Sequence, residues 1–108
     1  MFARIVNCEV KPEKKEEFVR VVKNQVLPIL KKQTGFLEIL PFFPEKAREV
    51  HAINISLWSA KADAERYERE TYPKVVELLK PYVHGPIEVN LYNLESTICE
   101  HFVSALTA

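Results

Sequence analysis

The sequence predicts an α+β fold: a split βαβ, ferredoxin-like plan with a four-stranded antiparallel sheet and helices on one face. Three observations lead there. Along the 108 residues the hydrophobic period changes in the order strand, helix, strand, strand, helix, strand. The strand segments carry apolar residues on both faces, so one face is left over after two helices have covered the other. The chain holds only two glycines, Gly35 and Gly85, where about seven or eight would be average. Both are expected where a helix hands over to a strand.

Residues 2–10 alternate: Phe2, Arg4, Val6, Cys8 and Val10 point one way, Ala3, Ile5, Asn7 and Glu9 the other, and β-branched residues favour a strand. Pro12 suits a first helical turn, and Glu13, Glu16 and Glu17 complement the helix dipole. Phe18, Val22, Val26, Ile29 and Leu30 keep a 3.6-residue stripe to about Lys32, and Pro28 is expected to kink it. Gly35 is the expected stop. Residues 36–43 form a second strand, with Pro41 marking an edge or bulge. A charged turn leads to a third strand, 50–58, and the two are expected to form a hairpin. In that third strand His51, Ile53, Ile55 and Leu57 face one way, Ala52, Asn54, Ser56 and Trp58 the other. Ser59 is the candidate N-cap of a helix over 60–71, and Pro73 restarts a shorter one over 74–81. Gly85-Pro86 is expected to turn the chain into a fourth strand, 87–94. Across strands, Val6, Val10, Ile53, Ile55 and Leu57 are expected on one face, Ile5, Ala52 and Trp58 on the other. The surplus apolar face implies a homodimer packed sheet to sheet. Residues 1–108 read as one domain, with 96–108 a tail that contacts the partner chain or adds strand around Ile98–Phe102.

Composition excludes several functions. Three close glycines for a dinucleotide fingerprint and two ahead of a lysine for a P-loop are missing. Two cysteines and three scattered histidines match no four-ligand zinc spacing, so no metal is expected. Fifteen basic and fifteen acidic residues cancel, which gives no general attraction to nucleic acid or to a membrane surface. The N-terminus lacks the pattern of a secretion signal, and the cytoplasm is the expected location. Cys8 and Cys99 are read as reduced and structural.

Phe2-Ala3-Arg4-Ile5-Val6-Asn7, the long helix ending before Gly35-Phe36, and Ser56-Leu57-Trp58-Ser59 followed by an acidic helix resemble the antibiotic biosynthesis monooxygenase domain. This is a branch of the dimeric α+β barrel superfamily, and the resemblance spans roughly residues 2–95. It implies a small homodimer with a pocket between sheet and helices in each chain. The activities it implies include oxidation of quinol-type aromatics by oxygen without a bound cofactor, haem degradation and processing of small signalling sugars.

Two catalytic constellations of that family can be laid on the chain. Haem-degrading members use an Asn, a Trp and an iron-binding His, which fall on Asn7, Tyr67 and Glu77. The iron ligand is missing, and His84 stands seven residues further on, in an expected loop; haem degradation is not expected. Quinol-oxidising members place an Asn and a Trp four residues apart on the third strand, matched by Asn54 and Trp58. Their later Tyr and Arg fall on Ala64 and Leu78. The resemblance thus implies Asn54, Trp58 and Asn7 as catalytic residues and Tyr67, Tyr72, Glu77 and His84 around a small-molecule substrate. Amides would hold a developing phenolate, and Glu77 or His84 would accept its proton.

Two other functions compete. An isomerase or degrading enzyme for a small phosphorylated signal needs a cationic cluster, for which the candidates are Arg4, His51 and His84. A non-catalytic binding or interaction module needs none of this chemistry. A cavity above about 300 Å³ carrying Asn54, Trp58 and Tyr67 is the mark of the enzyme; a pocket closed by side chains is the mark of a binding or structural role.

Overall fold

The computed structural model describes residues 1–46 and 50–95. The first strand, β1 (Phe2–Val10), lies in the middle of the sheet and runs into a 3₁₀ turn at Pro12–Lys14. A helical rod follows, composed of α1 (Lys15–Val21), a π-helical stretch (Val22–Val26) and α2 (Leu27–Lys31). The expected disturbance at Pro28 is found one turn earlier. Leu27 N–H reaches back to the Val22 carbonyl, and this wider turn relaxes the ladder just where the proline ring would crowd it. Gly35, at φ 82°, hands the chain to β2 (Phe36–Phe42). A Cβ there would overlap the Asp63 carboxylate, so this corner needs glycine for both backbone and space.

Strand β3 (His51–Trp58) pairs antiparallel with both β2 and β1. The next helix, α3 (Lys61–Glu70), starts one residue later than expected. Ala60 occupies the N-cap position, and the Ser59 hydroxyl donates instead to Asp63 and to the Gly35 carbonyl. Helix α4 (Tyr72–Leu79) carries Pro73 in its first turn, where a missing N–H costs nothing, and a 3₁₀ turn (Lys80–Tyr82) ends it.

The last strand is longer than expected. β4 (Val83–Asn93) runs straight through Gly85 and Pro86, which do not form its entry turn. Its pairing with β1 slips between Asn7/Glu88 and Glu9/His84, and Gly85, at φ 64°, takes up the slip as a bulge. Pro86 is tolerated because β4 is an edge strand in the order β2-β3-β1-β4. His84 therefore sits in a strand rather than a loop. The expected strand at Ile98–Phe102 and the rest of the 96–108 tail lie outside the described residues.

Register also corrects the expected grouping of faces. Phe2 pairs with Trp58, Arg4 with Ser56, Val6 with Asn54 and Cys8 with Ala52. These paired residues share the face buried against Phe18, Val22, Val26, Leu30, Val75 and Leu79. Ile5 pairs with Ile55 and Asn7 with Ile53 on the opposite face, which no described helix covers. There Ile5, Ile53 and Ile55 are half-buried, and Phe42 and Tyr92 are each 52% exposed.

Candidate functional site

Alternation along β1 and β3 turns Arg4, Asn54, Ser56 and Trp58 into the space between sheet and helices. From the other side α3 contributes Tyr67 and α4 contributes Tyr72. The aromatic rings form a continuous wall: Phe36 edge-on to Trp58 at 5.6 Å, Trp58 tilted on Tyr67 at 5.0 Å, and Tyr67 beside Tyr72 at 5.9 Å. Trp58 is fully buried and its indole N–H donates to Ser56 Oγ at 3.0 Å, which fixes the ring.

Arg4 is the unusual member. Its side chain is only 2% exposed, and its guanidinium lies 4.9 Å from the Tyr67 ring centroid and 4.4 Å from that of Tyr72. Its ion pair is with Glu68, Nη2 to Oε1 at 3.4 Å, and the Glu68 side chain is 36% exposed. That distance exceeds the roughly 2.7–2.9 Å of a strong charge-assisted bond. Three polar atoms here are buried without a hydrogen-bond partner: Arg4 Nε, Asn54 Oδ1 and the Tyr72 hydroxyl. An orphaned buried donor or acceptor costs about 1–3 kcal/mol, so three around one cavity mark a place held ready for something polar.

The three residues share a cavity of about 40 Å³, enough for a water or two, with walls that include Val22, Val26, Leu30 and Leu79. It is far smaller than the size expected of an enzyme's pocket. Trp58 does not line it; Tyr67 and Tyr72 do. Tyr72 also borders a surface groove of about 280 Å³ between α4 and β4, lined by Val76, Lys80, Val83, Gly85 and Ile87. Tyr72 thus lines both the inner cavity and that groove. Burial raises the phenol pKa of both Tyr67 and Tyr72, against the opposing pull of the Arg4 charge, so both remain protonated donors at neutral pH.

The other residues named from sequence lie elsewhere. Asn7 faces the opposite side of the sheet from Asn54, where its Oδ1 meets His51 Nε2 at 3.0 Å. His84 shares a cavity of about 210 Å³ with Asn7, His51 and Glu88 on that outer side. Glu77 is exposed on α4 and pairs with Lys80 at 2.7 Å. Neither Glu77 nor His84 lines the inner cavity, and no carboxylate or imidazole does among the described residues. Arg4, expected beside His51 and His84 as a cation for phosphate, lies apart from both. Alternation puts it on the Phe2, Val6, Cys8 side of β1; the enclosure of its charge comes from Tyr67 and Tyr72. Among the described residues, no cluster of three His, Cys, Asp or Glu side chains is placed to hold a metal ion, and no helix is long and apolar enough to cross a membrane.

No family model and no curated protein matches the chain. Solved structures do. A protein of Deinococcus radiodurans described as a putative antibiotic biosynthesis monooxygenase is similar at TM-score 0.74 and 12% identity, covering 92% of this chain and 97% of that one. The monooxygenase of Streptomyces coelicolor ActVA-Orf6, solved with nanaomycin D, is similar at TM-score 0.70 and 18% identity, covering 91% of this chain and 90% of that one. SnoaB of Streptomyces nogalater, a cofactor-independent oxygenase, is similar at TM-score 0.68 and 17% identity, covering 90% and 95%. At such identities likeness speaks for the fold, and it agrees with sheet order, register and helix placement. The chain has the fold of the antibiotic biosynthesis monooxygenases.

Proposed function

We propose that this protein is a cofactor-independent oxygenase of a small quinol-type aromatic, bound between the sheet and the helices. The observation that carries the reading is the convergence of orphaned Arg4 Nε, Asn54 Oδ1 and Tyr72 hydroxyl on an apolar cavity with an aromatic wall. An electron-rich aromatic anion can pass one electron to oxygen, the radical pair can recombine to a peroxide anion, and this, once it has taken up a proton, loses water to give the oxidised ring. Such a reaction asks the protein for a dry cavity, a stacking surface and polar groups for the oxyanion and the peroxide. Asn54 supplies an amide, Tyr67 and Tyr72 supply hydroxyls, and Trp58 backs Tyr67. Small-molecule sites measure about 300 Å³ or more, so a ligand of this size would have to widen the cavity toward the adjoining groove.

The uncovered apolar sheet face supports a homodimer packed through it, since monomers seldom leave such a face in water. The phosphorylated-signal reading loses its support, because Arg4 is the one charged residue among the described residues lining the cavity, and His51 and His84 are outside it. One observation favours a non-catalytic binding module: the cavity of about 40 Å³ is nearly filled by the protein's own side chains. Oxygen uptake separates the two. Wild-type protein given an anthrone- or quinol-type substrate, with no flavin or metal, is expected to consume oxygen, and the double variant Asn54→Ala, Trp58→Phe to lose most of that rate. Uptake unchanged in the variant removes the proposed roles of Asn54 and Trp58. Substrate retained without any uptake leaves the binding module.

A further inference from the structure

We infer that the site takes its ligand as a small aromatic monoanion, with Arg4 as the specificity-determining residue and Glu68 holding the anion's place until it arrives. The inference deepens the reading of this cavity as an oxygenase site. It starts from the absence of any proton acceptor among the described residues lining the cavity: Glu77 and His84, the two expected bases, are exposed outside it. A ligand that must be ionised inside would find nothing to take its proton, whereas one that enters ionised needs a counter-charge, which Arg4 provides.

The geometry of Arg4 fits that task. The guanidinium lies against both tyrosines, 4.9 Å from the Tyr67 ring centroid and 4.4 Å from that of Tyr72, and its charge and hydrogen bonding act on both phenols. Nε has no hydrogen-bond partner, and Nη2 makes the long contact to Glu68 Oε1 at 3.4 Å. Glu68 is at the protein surface and can turn to water when displaced, while Arg4 cannot leave. The other orphans complete an oxyanion site. The Tyr72 hydroxyl is a donor held protonated by its burial, and the Asn54 amide presents a donor once its ends are exchanged. Three donors suit one oxyanion, and the valine and leucine walls suit a ring. A single buried cation in an apolar cavity matches one negative charge; a hydrated dianion such as phosphate would find no second cation among the described residues there.

The protein contains a single tryptophan, and Trp58 lies 5.0 Å from Tyr67 at the cavity wall, so its fluorescence reports on occupancy without any turnover. Benzoate and benzamide are nearly the same shape and differ in charge. Wild type is expected to bind benzoate roughly tenfold or more tightly than benzamide, the factor a charge-assisted hydrogen bond supplies. Arg4→Met is expected to erase that preference while keeping benzamide binding. Glu68→Gln, which leaves Arg4 in place, is expected to tighten benzoate binding several-fold. Equal affinity for the two probes in wild type, no benzoate binding at millimolar concentration, or a preference that survives Arg4→Met would each overturn the inference. Oxygen uptake is read separately. A benzoate preference without turnover of any quinol upholds the inference and removes the oxygenase reading. Turnover of charged and neutral substrates with equal kcat/KM upholds that reading and removes the inference.

Discussion

Replacing Arg4 with methionine should make this protein more stable. The Arg4 side chain is only 2% exposed, and its guanidinium is held by one weak ion pair, with Nε unpaired. A buried ion costs several kcal/mol to desolvate even after relaxation, and an unpaired donor adds about 1–3 kcal/mol. Against this stand two ring contacts at about 0.5–2 kcal/mol each and an ion pair worth about 1 kcal/mol or less, because Glu68 is 36% exposed. Methionine fills most of the space of the arginine stem and carries no charge. Glu68 left alone turns to solvent. The desolvation term wins, and Arg4→Met is expected to gain about 1–3 kcal/mol, which in a chain of this size raises Tm by roughly 4–8 °C per kcal/mol. Urea unfolding followed by Trp58 fluorescence measures it, with the midpoint moving up at constant slope. Glu68→Gln should move the midpoint the other way, since it strips the guanidinium of its one anion. A lower midpoint for Arg4→Met would refute the reasoning, because it would mean that the ring contacts and Glu68 more than repay burial of the charge. An unchanged midpoint would equally deny that Arg4 is held at a cost to stability.

Gly35→Ala is expected to destabilise by about 1–3 kcal/mol in the same assay, because φ 82° and the overlap with Asp63 both act against a Cβ. Gly85→Ala, strained by φ 64° alone in open space, should cost less. Alkaline stability depends on Cys8, whose thiol burial pushes up from 9.0 to about 11. The folded chain keeps that proton while the unfolded chain releases it above pH 9. Its contribution is therefore complete below pH 9 and is lost as pH rises toward 11; Cys8→Ala should flatten that fall by about 1.4 kcal/mol per pH unit. Sedimentation at micromolar concentration should show twice the chain mass of 12.5 kDa for wild type and the single mass for Ile55→Lys, which puts a charge on the uncovered sheet face. A wild-type monomer would end the dimer reading.

Local pattern carried much of the fold and little of the site. Alternation in residues 2–10 and 50–58 and the stripe from Phe18 to Leu30 are short-range signals, so strands, helices and their order are readable from them. The boundaries that went astray have local causes of another kind. Ser59 has the side chain of an N-cap, yet its hydroxyl is engaged with Asp63 and Gly35 across the corner, and Ala60 takes the cap position. Gly85-Pro86 has the composition of a turn, yet the bulge against β1 absorbs it and carries His84 into the strand. Asn54, Tyr67 and Tyr72, named from a resemblance, come together at one cavity, whereas Asn7, Glu77 and His84 do not.

By itself the sequence determined which residues of each strand share a side, because a side chain's direction in a strand repeats every two residues whatever surrounds it. It also determined that no glycine-rich phosphate loop can form. Only tertiary structure decided which side of β1 meets which side of β3, since one residue of register exchanges the faces and puts Asn7 opposite Asn54 rather than beside it. Only tertiary structure, too, buried Arg4. Whether a charge on an apolar face reaches water or is enclosed depends on Tyr67 and Tyr72, more than sixty residues away in the chain and 4.9 and 4.4 Å from the guanidinium in space.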